Sequence, residues 1–334
     1  MEPIPEIVLS GCSTQTGLSF WHPVTASSIA SCKQIQCDAR SLCVSSKFFA
    51  AIQTGSPVIF LCSYAKNTPV FRCTLDIQPL CLAISSDCLL LIAGCEDGSV
   101  RIWDIQSGAL LSSHTLHFAP IRSLSVSPCN DYLSSGGDDC AVHVWDLFSL
   151  LSPYSSSNTN QTLPTPRFSF SSFTSSVCSV HFSSAIVPPR LYATSFDGSL
   201  LITCPVSGSV IFNTTLSSGI SSMAVDLLDT VLACGHQNGT ITILHLQNLL
   251  HSPLKPTSIS AHSSDVVALS FAQHSQRLFS GSSDGFIKSF DLTSMQSVTS
   301  TDLKAPVGTL ICLPTPPLIT FKERFLYHCT FKEN

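Results

Sequence analysis

The residues of this chain with chemical potential fall into two sets of matching spacing. His117, Ser135 and Asp139 are followed by Trp145; His262, Ser280 and Asp284 are followed by Phe290, and His precedes Asp by 22 residues in both sets. Inside the second set, Gly281-Ser282-Ser283-Asp284-Gly285 formally matches the G-x-S-x-G nucleophile elbow. That motif needs a strand, a turn and then a helix, and here a strand-like run follows the turn. Metal-dependent and glycosidase-type chemistry has no support, because His-x-His, His-Glu-x-x-His and usefully spaced carboxylate pairs do not occur. No glycine-rich phosphate loop follows a strand and opens a helix. His143, on a strand position read as exposed, and His236, in a turn, read as ordinary surface residues. No catalytic role, metal or cofactor is expected.

Both sets belong to one kind of unit. From His117 to Leu151, apolar residues alternate at Ile121, Leu124 and Val126, a turn follows at Ser127–Asn130, and Tyr132-Leu133 begin a second strand. Ser135–Asp139 form a tight turn, and Ala141–Trp145 alternate again before Asp146. Three short strands cannot bury both faces alone, so the unit needs copies as neighbours. The pairs Asp97/Trp103, Asp139/Trp145, Asp197/Thr203, Asn238/Leu244 and Asp284/Phe290 mark them, at turn-to-turn intervals of 42, 58, 41 and 46 residues. Asp-Gly and Asn-Gly at these turns supply the positive φ that a tight hairpin demands.

This period, with its terminal Trp-Asp, resembles the WD-repeat family, whose fold is a β-propeller. The resemblance implies an all-β chain in which 1–334 is one propeller domain of seven blades, each a four-stranded antiparallel sheet. Eight blades would result if Leu318–Phe321 and Phe325–Phe331 were blade strands too. WD repeats often carry a hydrogen-bonded His, Ser/Thr, Asp and Trp set tying the inner strands of a blade together. The resemblance gives that role to His117, Ser135, Asp139, Trp145, His262, Ser280 and Asp284. Asp97, Trp103, Asp197, Asn238 and Phe290 become the matching turn and inner-strand residues. The first repeat is degenerate (Glu6–Cys12, Leu18–Trp21, Ser28–Cys32), and the second, Cys37–Leu75, lacks the turn Asp and the Trp. The third is Asp76–Leu116, the fifth Phe168–Leu216, the sixth Ser217–Ser258 and the seventh Ser260–Leu303. A strand near 307–313 is expected to join the N-terminal strands in one blade, leaving no open edge. Residues 152–166, rich in Ser and Pro, read as an exposed loop.

The totals agree with this reading. Charged residues are 11% and hydrophobic ones 44% of 334, as expected where most strand residues face a neighbouring blade. The most apolar stretch, Leu80–Gly94, is too short to cross a bilayer, and the acidic, proline-rich start lacks the features of a signal peptide. An intracellular protein is expected. The 16 cysteines include no Cys-x-x-Cys pair and read as reduced core residues. With a net charge of −5 and 16 Lys and Arg spread singly, strong direct nucleic-acid binding is not expected.

Three texts narrow the resemblance: SSGGDDCAVHVWDLFSLL before the Ser/Pro-rich loop, GISSMAVDLLDTVLACGHQNGTITILHL, and DLKAPVGTLIC. They are similar to the WD-repeat subunits of the rixosome, the nucleolar complex that matures large-ribosomal-subunit precursors. The resemblance implies a non-catalytic scaffold, present in nucleolus and nucleoplasm and serving removal of the internal transcribed spacer from precursor rRNA. The implied partners are a large helical-repeat scaffold, a second small subunit, a midasin-type remodelling ATPase and the large-subunit precursor. The chain ends at Asn334 where many such relatives carry a longer tail, which puts a role of that tail in doubt. A substrate receptor of a cullin ubiquitin ligase is the alternative, but Gln106 and Phe148 stand where its WD-x-R boxes would have Arg. Partner contacts are expected on the 152–166 loop and on the rims near Arg101 and Arg122.

Overall fold

Period-two alternation closed by tight turns dictates antiparallel hairpins. The computed structural model of the chain describes residues 6–12, 17–32, 37, 40–64, 69–151, 164–184, 189–246, 256–272 and 276–314. Strands β1–β3 are Glu6–Cys12, Leu18–Trp21 and Ser28–Cys32; β4–β7 are Leu42–Val44, Phe48–Ile52, Val58–Ser63 and Pro69–Thr74. β8–β11 are Pro79–Ile84, Leu90–Cys95, Ser99–Asp104 and Leu110–Thr115. β12–β14 are Ile121–Val126, Tyr132–Gly137 and Val142–Asp146, followed by helix α1, Leu147–Leu151, and β15, Phe168–Phe170. β16–β19 are Val177–Phe182, Leu191–Ser195, Ser199–Thr203 and Val210–Thr215; β20–β23 are Ile220–Val225, Val231–His236, Thr240–His245 and Thr257–Ser260. β24–β27 are Val266–Phe271, Arg277–Ser282, Phe286–Asp291 and Ser297–Asp302, and β28 is Val307–Pro314.

Among the described residues these strands make seven four-stranded sheets, the blades of a seven-bladed β-propeller. Blades two to seven each use four strands consecutive in sequence, and blade one has the order β28-β1-β2-β3. Leu318–Phe321 and Phe325–Phe331, the segments weighed for an eighth blade, lie outside the described residues, as does 152–163 of the long loop. No helix among the described residues is long and apolar enough to cross a membrane.

Residues 1–74, 222–226 and 230–334 form one compact unit, holding blades one, two and seven and most of six. Here β28 runs antiparallel to β1 from Glu6↔Pro314 to Cys12↔Val307. Every residue of β1 is buried, with Ile7, Leu9, Leu18 and Phe20 packing on Leu42 and Phe49. The second unit, 75–221 with 227–229, holds blades three, four and five. One of its cores gathers Ile92, Ile102, Ile121, Leu133, Trp145, Leu147 and Leu150.

The innermost strand of a blade has one edge unpaired within its own sheet, so its backbone groups need partners elsewhere. Serines supply them. Ser123 Oγ accepts the Val180 N–H at 3.0 Å and Ser125 Oγ accepts the Phe182 N–H at 3.1 Å, linking β12 to β16. In the first unit, Ser270 Oγ accepts the Cys312 N–H at 2.8 Å, and Ser222 Oγ donates to the Val266 carbonyl at 2.7 Å.

Blade four departs from the sequence reading in two places. The repeat spacing places Phe168–Phe170 at the start of the fifth repeat, but it is the outer strand of blade four, with Val142↔Phe170 and Val144↔Phe168. The free edge of β14 takes it because that edge lacks a partner until Phe168–Phe170 pairs there. Helix α1 is the second departure, since the strand alternation predicts no helix here. Asp146 caps it by accepting the Phe148 N–H at 3.1 Å, and Leu147 and Leu150, three residues apart on one face, are both buried.

Candidate functional site

The blade-four set starts one blade earlier. Gly98, at φ 79° in the β9–β10 turn, has a carbonyl that accepts the N–H groups of Leu116 and His117 at 3.0 and 3.1 Å. A Cβ there would lie 2.2 Å from the His117 carbonyl oxygen, so only glycine permits this approach. The loop held in this way presents the His117 ring to blade four. His117 Nδ1–H donates to Asp139 Oδ2 at 2.8 Å. In that tautomer of the neutral ring Nε2 is an acceptor, and Ser135 donates to it at 2.7 Å. Ser135 Oγ in turn accepts the Trp145 Nε1–H at 3.0 Å. The relay ties loop, second strand, turn and third strand together, and it uses both imidazole nitrogens.

Burial pushes the Asp139 carboxyl up, but the hydrogen bond from His117, with the N–H groups of Ala141 and Phe118, outweighs it and holds the group low. His143 is not the surface residue expected from its strand position. Its ring lies 4.6 Å from that of His117 and 5.6 Å from that of Trp145. Burial first, then the neighbouring His117, depress its pKa to about 4. The ligand atoms of His117, Asp139 and His143 lie within 4.8 Å of one another. They could share a metal ion only if His117 gave up its bond to Asp139 or Ser135, so the donors fit the relay better than an ion.

Blade seven repeats the arrangement in the other unit. Gly239 O accepts the N–H groups of Ala261 and His262 at 3.2 and 2.9 Å, and a Cβ on Gly239 would meet the His262 carbonyl at 2.2 Å. His262 Nδ1–H donates to Asp284 Oδ2 at 3.1 Å, and Ser280 Oγ–H donates to Nε2 at 2.7 Å. Phe290, 3% exposed, fills the Trp position without a donor. Burial lowers the pKa of His262 against the opposing pull of Asp284. Asp284 is also held low, because the N–H groups of Phe286 and Ser263 and the contact with His262 outweigh its burial. The G-x-S-x-G match spans the end of β25, at Ser282, and the start of β26, at Phe286; it is a hairpin turn.

Blades three, five and six keep the turn and lose the relay. Asp97 accepts the N–H and hydroxyl of Ser99 at 2.9 and 2.6 Å, but Ala93 stands where Ser135 does, beside a buried Trp103. Asp197 accepts the N–H and hydroxyl of Thr174 at 2.7 and 2.8 Å and the N–H of Ser199 at 2.8 Å. These bonds outweigh its burial and bring its pKa to about 2. Asn238 Oδ1 accepts the N–H and hydroxyl of Thr240 at 3.1 and 2.7 Å. His236, expected on the surface, is 1% exposed and bonds Thr242 Oγ1 through Nε2 at 2.8 Å. It turns inward because the last position of β21 faces the core. Sequence reasoning also missed Ser10, whose Oγ accepts the Trp21 Nε1–H at 2.8 Å; the Trp at the end of that strand was the available signal. Cys95, Cys129, Cys140, Cys204 and Cys312 are free thiols.

The family model described as "WD domain, G-beta repeat" matches residues 71–104, 108–146 and 254–291. The chain carries WD repeats at these positions. Its WD repeats are 26% identical over 245 residues to WD repeat-containing protein 18 of Rattus norvegicus, covering 71% of this chain and 56% of that one. The human protein of the same name is 25% identical over 244 residues, covering 71% and 55%. Pre-rRNA-processing protein crb3/ipi3 of Schizosaccharomyces pombe is 26% identical over 243 residues, covering 71% and 54%. The chain thus spans about half the length of the curated relatives it matches. Among solved structures, the computationally designed Ika8 protein superposes with a TM-score of 0.67 at 18% identity, over 91% of this chain and 86% of that one; this likeness concerns the fold alone.

Proposed function

We propose that this WD-repeat chain is a non-catalytic scaffold subunit of a ribosome-biogenesis complex of the rixosome type. In this reading it acts in the nucleus and nucleolus, in maturation of large-subunit precursors and processing of their internal-spacer RNA. The observation that carries it is the likeness, over 71% of the chain, to a protein named for pre-rRNA processing. Its partners would be a helical-repeat scaffold, a second small subunit, a midasin-type ATPase and the precursor particle. The His–Ser–Asp sets serve as blade ties: their polar atoms are spent on one another, which leaves the blades rigid and their rims free for partners. The net charge of −5 favours protein contacts over a direct grip on RNA.

Affinity purification of the tagged chain at moderate salt, with mass spectrometry, tests this. Recovery of large-subunit assembly factors with a helical-repeat scaffold and a midasin-like ATPase is the expected result. Recovery of cullin and linker proteins instead would overturn the assignment in favour of a ligase adaptor.

A further inference from the structure

We infer that the turn end of blade four, centred on Phe118, is a docking surface for a cationic, arginine- or lysine-bearing segment of a partner protein. Antiparallel strands reverse direction at each step, so the loop before β12 and the β13–β14 turn lie at the same end of the blade. Phe118 sits in that loop with 104% relative exposure. Its backbone is nevertheless held in place. The Phe118 N–H reaches Asp139 Oδ2 at 3.4 Å, and the preceding Leu116 and His117 are bonded to Gly98.

The sister loops show what the fold itself asks for at this position. Thr174 and Ser263 make the same backbone bond, to Asp197 and Asp284, at 2.7 and 3.2 Å. Each adds a hydroxyl bond to the same carboxylate, at 2.8 and 3.4 Å. Phe118 gives up that second bond and presents a ring to solvent. An aromatic side chain on a fixed backbone anchors an interface at small entropic cost.

Charge selects the partner. Five carboxylates, Asp76, Glu96, Asp97, Asp138 and Asp139, belong to the loops and turns at this end of blades three and four, against two arginines. Both arginines are already engaged, Arg101 with Asp76 at 2.5 Å and Arg122 with Asp138 at 2.7 Å. The exposed carboxylates without an arginine partner, Glu96 and Asp97 in the β9–β10 turn, attract a cation, and the Phe118 face receives it; a polyanion such as RNA is repelled. The inference rests on the scaffold reading and adds a surface and a partner chemistry to it.

Titration of the purified full chain into a fluorescein-labelled peptide of alternating arginine and leucine, followed by anisotropy, tests it. The same peptide with glutamate for arginine and a single-stranded RNA oligonucleotide serve as counter-probes. The arginine peptide is expected to bind, and more weakly as salt rises from ~50 to ~300 mM. Phe118→Ser, which installs the residue of the blade-seven loop, is expected to weaken binding roughly tenfold with an unchanged melting temperature, and Glu96→Gln to reduce the salt dependence. No binding of the arginine peptide, equal binding by Phe118→Ser, or equal binding of the glutamate peptide or RNA overturns the inference. The titration contains no third protein, so its failure is distinct from a failed co-purification.

Discussion

Blades four and seven begin from the same three polar residues at the same spacing and part first at the residue that follows them. In blade four the Trp145 indole donates to Ser135 at 3.0 Å; in blade seven Phe290 packs equally deeply, each residue being 3% exposed, and donates nothing. The His–Ser bond is 2.7 Å in both blades, so the relay forms without the indole. What Trp145 adds is a bond from the third strand to the second. A second difference lies at the turn, where Cys140 takes φ 62° and Gly285 takes φ 87°. Blade four therefore holds a stronger tie and a more strained turn.

The largest effect should come from what the two blades share. Gly98→Ala and Gly239→Ala each push a Cβ onto the backbone of the next blade's histidine loop and should cost roughly 3 kcal/mol or more in urea denaturation. A loss confined to one of them would mean that the two loops are not anchored alike. Next, Asp139→Ala and Asp284→Ala should each cost about 2–3 kcal/mol, since a buried imidazole and nearby N–H groups lose their acceptor.

Trp145→Phe turns blade four into blade seven at the decisive position and should cost about 1 kcal/mol. In a double-mutant cycle with Ser135→Ala, a coupling of about 1 kcal/mol is expected, against none for Ser280→Ala with Phe290→Leu. Acid should separate the blades more gently. His262 and His143 hold depressed pKa values, the latter about 4, so the unfolded chain binds their protons first. Their contribution to stability is complete above the unfolded value of ~6.5 and falls as pH drops below it. Melting temperature should decline through this window, and His143→Gln should flatten the decline. The low-lying Asp139 and Asp284 act in the same direction at still lower pH, below the ordinary carboxylate value. The smallest effect is a gain: Cys140→Gly relieves left-handed strain and should stabilise blade four by about 0.5–1 kcal/mol.

Much of this architecture is legible in the sequence because it is local. A strand's period, a turn's need for positive φ at Gly98 or Gly239, and a fixed His-to-Asp spacing are all set within one or two hairpins. The inward side of a residue in a degenerate strand is less legible. His143 and His236 sit at positions whose polarity suggests solvent, and only the packing of His117 and Trp145 makes the first half-buried and that of Thr242 helps bury the second. Helix α1 hides for a similar reason, since Leu147 and Leu150 read equally well as the end of a strand.

The sequence by itself determined the repeat, the turn chemistry and the pairing of His117 with Asp139 and His262 with Asp284, because each follows from bonds that span a short stretch of chain. Tertiary structure alone decided that Phe168–Phe170 completes blade four and that Ser123, Ser125 and Ser270 bond the neighbouring blade. It also decided that Phe118 keeps its ring in solvent where Thr174 and Ser263 bond their aspartates. Those outcomes depend on which unpaired edge or carboxylate lies within reach after folding, and no local pattern of residues encodes that distance.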